Sequence, residues 1–140
     1  MEVKLAKRPE EIMLCWEAMH VLRPHLVKES FVETVTEMIA SGYSLAYIEE
    51  DGRAAAAVGF RFLHFLLHGK HIYIDDLTTL PWSRKKGYGG ILLDYVFAIA
   101  AERGLKVVTL DSGPQRHDAH RLYLNKGFIL ASHHFTRTER

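Results

Sequence analysis

The 140-residue chain predicts a mixed α/β (α+β) fold: one mixed, mostly antiparallel sheet with helices on both faces. Three observations carry that expectation. Three strand-like segments between residues 43 and 80 follow one another with only short turns between them. A basic glycine turn, SRKKGYGG (83–90), separates a strand from an apolar helical run. The almost wholly apolar stretch LKVVTLD (105–111) reads as a strand covered on both faces.

The elements follow in order. Residues 2–6 (EVKLA) fit a short edge strand. Pro9 opens a helix whose apolar positions Ile12, Met13, Trp16, Met19 and Leu22 keep helical spacing. Residues 28–41 give a second helix, with Phe31, Val32, Val35, Met38 and Ile39 inward and Gly42 as its stop. Residues 43–49 read as a strand, Asp51-Gly52 as a hairpin turn, and residues 53–66 as the returning strand. Gly69-Lys70 marks a second turn, and residues 71–80 the third strand of the meander. A helix runs from Gly87 to Glu102, the strand 105–111 follows, and a helix over 115–126 stops at Gly127. FILASHHFTRT closes the chain as a strand or hairpin. The expected count is six or seven strands and about four helices in a single domain, 1–140.

Composition narrows the function classes. Apolar residues make up 48% and charged residues 25%, an ordinary soluble balance. Eighteen basic against 17 acidic side chains give no global field for nucleic acid, so any basic site must be local. The single Cys15 excludes an internal disulfide and a multi-cysteine zinc site, and reads as a small buried hydrophobe. MEVKLAKRPEE is not a signal peptide, and no apolar stretch reaches membrane-spanning length. A cytoplasmic protein with no membrane partner is expected.

The glycine turn matches neither familiar phosphate loop. A P-loop needs Lys-Ser or Lys-Thr after its last glycine, where Ile91 and Leu92 stand; the dinucleotide fingerprint fails at Leu92. Their shared physics remains. Glycines admit a ligand close to the backbone, and the first amides of a helix lack partners and carry its positive dipole end. A pyrophosphate suits such a spot, and Arg84, Lys85 and Lys86 add charge.

Pro81-x-x-Arg84-x-Lys86-Gly87-x-Gly89 resembles the acetyl-CoA loop of the GNAT superfamily of N-acyltransferases, whose pattern R/Q-x-x-G-x-G/A fits Arg84, Gly87 and Gly89. Ala119-x-x-Leu122-Tyr123-x-x-x-Gly127-Phe128 is similar to that family's A-x-x-F/L-Y-x-x-x-G-F signature. The element order agrees, so the resemblance covers nearly the whole chain. Two residues depart from it: Lys85 replaces a frequent glycine, and Arg116 replaces an asparagine that contacts the cofactor in many members.

The resemblance implies acetyl-CoA as co-substrate, held by the amides of residues 85–90: Lys85, Lys86, Gly87, Tyr88, Gly89 and Gly90, with Arg84 at the basic position. It implies a splay between the fourth and fifth strands, where Leu77, Thr78 and Thr79 pair with the pantetheine arm instead of a neighbouring strand. Arg116 becomes a candidate phosphate or substrate contact. Tyr123 takes the general-acid role toward the departing thiolate, a phenol remaining a donor at neutral pH; the plain alternative is a core aromatic beside Leu122 and Phe128. The tetrahedral oxyanion would meet a main-chain amide near Leu77 or Thr78.

Transfer needs a neutral amine. At pH 7 this costs roughly 4.6 kcal/mol for a lysine-like amine and about 1 kcal/mol for an α-amino group. Asp75 stands where some members carry a glutamate base. As neighbours on a strand, Asp75 and Asp76 are expected on opposite faces, so only one can meet the substrate; pairing with a nearby cation is the alternative for either. Arg23 and His25, between the first two helices, lie where similar proteins wall the acceptor pocket. Arg23 suits a substrate carboxylate and His25 a proton relay, the alternative being a proline-kinked connector.

Nine histidines show no recognised zinc spacing, so no metal is expected. The chain reads as an enzyme, an N-acetyltransferase acting on a primary amine of a small molecule or peptide without a covalent enzyme intermediate. The alternative is a non-catalytic acyl-CoA-binding sensor. Homodimers are common in the family, but no residue here argues for one.

Overall fold

The computed structural model describes residues 1–139, in two compact units, Met1–Leu110 and a second that starts at Asp111. The first holds a five-stranded mixed sheet in the order β1-β2-β3-β4-β5, built from Lys4–Leu5, Tyr43–Glu50, Arg53–Phe65, Gly69–Thr79 and Val108–Leu110. β1 to β4 run antiparallel, and β4 pairs with β5 in parallel. Four helices join it: α1 (Pro9–Leu14), α2 (Trp16–Leu22), α3 (Lys28–Ala40) and α4 (Tyr88–Glu102). The second unit carries α5 (His117–Asn125).

Alternation along β2 builds two cores. Tyr43, Leu45 and Tyr47 pack with Ile12, Met19, Phe31 and Val35 of α1–α3 and with Cys15 between α1 and α2. The other face is also buried: Ala46, Ile48, Val58 and Phe60 are sealed, and the Phe60 ring meets Tyr95 of α4 edge-on. Ala54 to Ala57 are fully buried on β3, so helices approach both faces closely there.

Four expectations are corrected. Among the described residues the sheet has five strands, not six or seven, because residues 128–139 form no regular element. FILASHHFTRT lacks a clean two-residue alternation, and Ile129, Leu130 and Phe135 are 80%, 84% and 92% exposed rather than packed on one face. The described residues hold five helices rather than about four, since the first breaks at Cys15, whose amide donates to Ile12 three residues back at 3.0 Å. That tighter bond interrupts the α-helical ladder before Met19 resumes four-residue bonding to Cys15. The second hairpin turns at residues 66–68, one register before Gly69-Lys70, with Gly69 already in β4 at φ +65°.

The fourth correction bears on the site. Gly59 pairs with Asp76, but Phe60 pairs with Ile74, which leaves Asp75 as the extra residue of a β-bulge. Strict alternation therefore fails at the two aspartates.

Candidate functional site

The expected site residues of the first unit gather at two features: the turn that opens α4, and a cavity between α2, α3 and the sheet.

At the turn, Lys85 and Gly87 both adopt left-handed backbone, φ +70° and +80°. Amides on either side of such residues converge into an anion-binding concavity. Among the described residues, no main-chain amide from 85 to 90 has a hydrogen-bond acceptor; the first engaged one is Ile91, bonded to Gly87 at 3.1 Å. The turn is held from behind. Glu50, at the end of β2, accepts from Lys86 Nζ at 2.7 Å and from the Tyr88 hydroxyl at 2.9 Å. Lys86 first, then Tyr88, keeps the Glu50 carboxyl below its ordinary range. Lys86 and Tyr88 thus spend their side chains on the scaffold and present their main chain. Arg84 Nε donates to Thr79 O at 3.3 Å, while the Lys85 side chain makes no ion pair among the described residues.

β4 approaches this turn with one edge unpaired. Its ladder to β5 covers only Ile72, Tyr73 and Ile74. Leu77, Thr78 and Thr79 pair with Val58, Ala57 and Ala56 of β3 and, among the described residues, have no strand on the other side. The Thr78 hydroxyl is committed elsewhere, donating to Ala18 O of α2 at 3.1 Å.

The cavity, about 400 Å³, is lined by Met19, Leu26, Val27, Phe31, Val35, Met38 and Leu45 and by polar Arg23, His25, Ser30, Thr34, Tyr43 and Asp76. Proline shapes its rim. A residue before proline avoids helical backbone, and Arg23 ends α2 at φ −126°, ψ 79°, with Pro24 next. From there it reaches β4: Nη2 donates to Asp76 Oδ1 at 3.0 Å, Nε to the same oxygen at 3.2 Å, and Nη2 to Asp75 O at 3.0 Å. The Tyr43 hydroxyl donates to Asp76 Oδ2 at 2.8 Å. Burial first, then the Asp76 charge, pushes the Tyr43 phenol well above its usual value, so it stays a donor. Gly59 makes room for this ring: a Cβ there would collide with the hydroxyl and ring carbons of Tyr43.

Asp75 does not line the cavity. Its carboxylate takes Arg61 Nε at 2.9 and 3.1 Å, and that guanidinium lies 5.2 Å from the centre of the Tyr43 ring. Burial raises the Asp75 carboxyl, against the pull of Arg61. Because of the bulge, both aspartates serve the surroundings of Tyr43, Asp76 directly and Asp75 through Arg61. Tyr43, Gly59, Arg61 and Glu50 were not singled out in the sequence. Only Gly59 left a signal, a glycine inside a strand, which marks a close approach.

In the second unit, Tyr123 sits on α5, 7% exposed, edge-on to Phe128 at 5.9 Å. Burial raises its phenol pKa while Arg116, the residue before α5, lowers it. His120 Nε2 bonds Gly113 O at 2.8 Å. Cys15 is sealed, its thiol pushed up to about 12 by burial. Among the described residues no group of three or more His, Cys, Asp or Glu is placed to hold a metal ion, and no helix is long and apolar enough to cross a membrane.

Comparison with known proteins bears on these features. The profile of the acetyltransferase (GNAT) family matches residues 10–128. The uncharacterized N-acetyltransferase YhdJ of Bacillus subtilis is 35% identical over 130 residues, spanning 91% of this chain and 92% of its own. The aminoalkylphosphonate N-acetyltransferase of Salmonella typhimurium is 32% identical over 89 residues, 61% of this chain and 58% of its own length. Among solved structures, the ribosomal-protein-alanine N-acetyltransferase of Brucella melitensis superposes with TM-score 0.81 at 16% identity, covering 99% of this chain and all of that one. The aminoglycoside N-acetyltransferase AAC(6')-Iy, solved with a CoA bisubstrate analogue, gives TM-score 0.83 at 14% identity over 99% and 97% of the two chains. At such identities the structural likeness is one of fold.

Proposed function

Since the chain belongs to the GNAT acetyltransferase family, we propose that its 140 residues act as one N-acetyltransferase domain that moves the acetyl group of acetyl-CoA directly to a primary amine. The observation that carries this reading is the set of acceptor-free amides at 85–90, flanked by left-handed residues and heading α4.

Those amides take the pyrophosphate of acetyl-CoA, with Arg84 and Lys85 adding positive charge and Arg116 a further phosphate contact. The unpaired edge of Leu77, Thr78 and Thr79 receives the pantetheine arm as an added strand. A main-chain amide near Leu77 or Thr78 meets the carbonyl oxygen as charge develops on it. The amine enters through the cavity of Arg23 and His25.

Asp76 takes the base role expected at Asp75, because Asp76 faces the cavity while Asp75 is committed to Arg61. The amine loses one proton toward Asp76, directly or through His25. Its nitrogen forms the new bond to the acetyl carbon as the carbon–sulfur bond breaks, and the thiolate takes a proton from Tyr123. The raised phenol of Tyr123 suits a donor that must stay protonated at neutral pH. No enzyme nucleophile is needed, and the Cys15 thiol, at about 12, is a poor one.

Tyr123→Phe tests the reading. Turnover, followed as thiol release, is expected to fall by roughly 10²-fold or more, while acetyl-CoA still raises the melting temperature as in the wild type. Undiminished turnover removes Tyr123 from the mechanism. Binding of acetyl-CoA with no turnover on any amine points instead to a sensor.

A further inference from the structure

We propose, on the footing of the acyl-transfer reading above, that the acceptor is a small amine bearing its own acid group one or two carbons away and an apolar side chain. An α- or β-amino acid, or the corresponding aminophosphonate, has that chemistry.

The unused hydrogen-bonding capacity of the cavity points to it. A carboxylate offers about four lone-pair positions. On Asp76, Oδ1 takes two N–H groups of Arg23 and Oδ2 takes the Tyr43 hydroxyl, which leaves one position on Oδ2. A guanidinium has five N–H donors, as a group about two atoms across. Arg23 spends Nε and Nη2 on Asp76 and on Asp75 O; Nη1 has no partner among the described residues, and the side chain is 44% exposed. An open acceptor position on Asp76 and the unpartnered Nη1 of Arg23 therefore belong to two side chains that line the same cavity and are joined by a 3.0 Å ion pair. A ligand that uses both must hold its charges equally close.

The same arrangement disfavours a purely cationic acceptor. Asp76 is the single carboxylate in the cavity lining, and Arg23 already neutralises it. A diamine or aminoglycoside would place its further ammonium groups beside a guanidinium with no second counter-charge, a like-charge contact that costs affinity. The remaining wall, including Leu26, Phe31, Val35 and Met38, asks for an aliphatic or thioether side chain.

Thiol release from acetyl-CoA by the purified protein decides the matter. The panel is methionine and leucine, their carboxamides, their decarboxylated amines, the aminophosphonate analogue of leucine, and putrescine. The free acids or the phosphonate should exceed the carboxamide and the decarboxylated amine in kcat/KM by at least about tenfold, the worth of one charge-assisted hydrogen bond. The carboxylate and phosphonate arms separate the two acid groups. Arg23→Gln should erase the acid-to-amide ratio without changing the KM for acetyl-CoA, and Arg23→Lys should restore part of it. If Arg23→Gln does not fold, the wild-type ratio decides alone. Amides, simple amines or putrescine turned over as well as the acids would overturn the proposal, as would a ratio that survives Arg23→Gln. Acetyl-CoA binding with turnover on other amines only, or on none, also overturns it and leaves the cofactor site standing. Failure of acetyl-CoA to bind brings down the acyl-transfer reading itself.

Discussion

The turn that opens α4 and the cavity under α2 and α3 solve opposite problems with opposite materials. The turn is a main-chain device: its donors are amides, and its side chains Lys86 and Tyr88 are turned back onto Glu50. The cavity is a side-chain device in which Arg23, Tyr43 and Asp76 come from three separate segments to meet at one carboxylate. Backbone geometry sustains the first, so glycines and local φ values decide it. Tertiary register sustains the second, so a single bulge or a single missing Cβ decides it.

Substitutions can break that contrast, the largest effect being expected at Asp76. Asp76→Asn removes the charge that Arg23 and Tyr43 surround, and turnover on the preferred amine should fall by roughly 10²-fold or more with unchanged affinity for CoA. Asp75→Asn, made in parallel, should cost much less because its partner is Arg61. Equal losses from both would erase the distinction between the two carboxylates.

Next comes Gly59→Ala, which drives a methyl group into the Tyr43 ring. Overpacking of this kind costs about 1–3 kcal/mol. A lower melting temperature and a raised KM for the amine are expected, with KM for acetyl-CoA unmoved. Gly87→Ala is the mirror test on the turn. A Cβ there has open space, so the penalty is only the left-handed backbone at φ +80°. That is worth about 1–2 kcal/mol, and affinity for CoA should fall roughly tenfold while the amine KM holds.

The smallest effect belongs to Glu50. Its carboxyl is depressed in the folded protein, so its contribution is complete above the ordinary value of 4.5 and is lost as pH falls through the folded value. Melting curves from pH 7 downward should show an acid limb that Glu50→Gln makes shallower, the part due to Glu11 remaining; identical curves would mean the tether does not hold the turn.

The same contrast explains what could be read from the sequence. The meander, the glycine turn and the helix that follows were legible because each rests on a few neighbouring residues: Asp51-Gly52, Gly87, and the apolar run from Ile91. The lining of the cavity was legible only at Arg23 and His25, beside a proline. Which of Asp75 and Asp76 lines the cavity was not legible, because alternation assumes an unbroken ladder, and the bulge opposite Gly59 and Phe60 breaks it. A glycine inside a strand marks a close approach at Gly59, but neither Tyr43 as its partner nor the reach of Glu50 to Lys86 has a local signature, since 16 and 36 positions separate the partners. The closing segment misled in the other direction, its β-branched and aromatic residues suggesting a strand that its irregular pattern does not sustain.

The bare α-carbon at 59 ties two positions together over evolutionary time. A lineage that places even a methyl group there must shrink the residue at 43; phenylalanine would not suffice, since ring carbons collide as well as the hydroxyl. Losing that phenol would strip Asp76 of one of its donors. Positions 43 and 59 should therefore covary, and the lineages where they change together are those in which a switch of acceptor is to be sought.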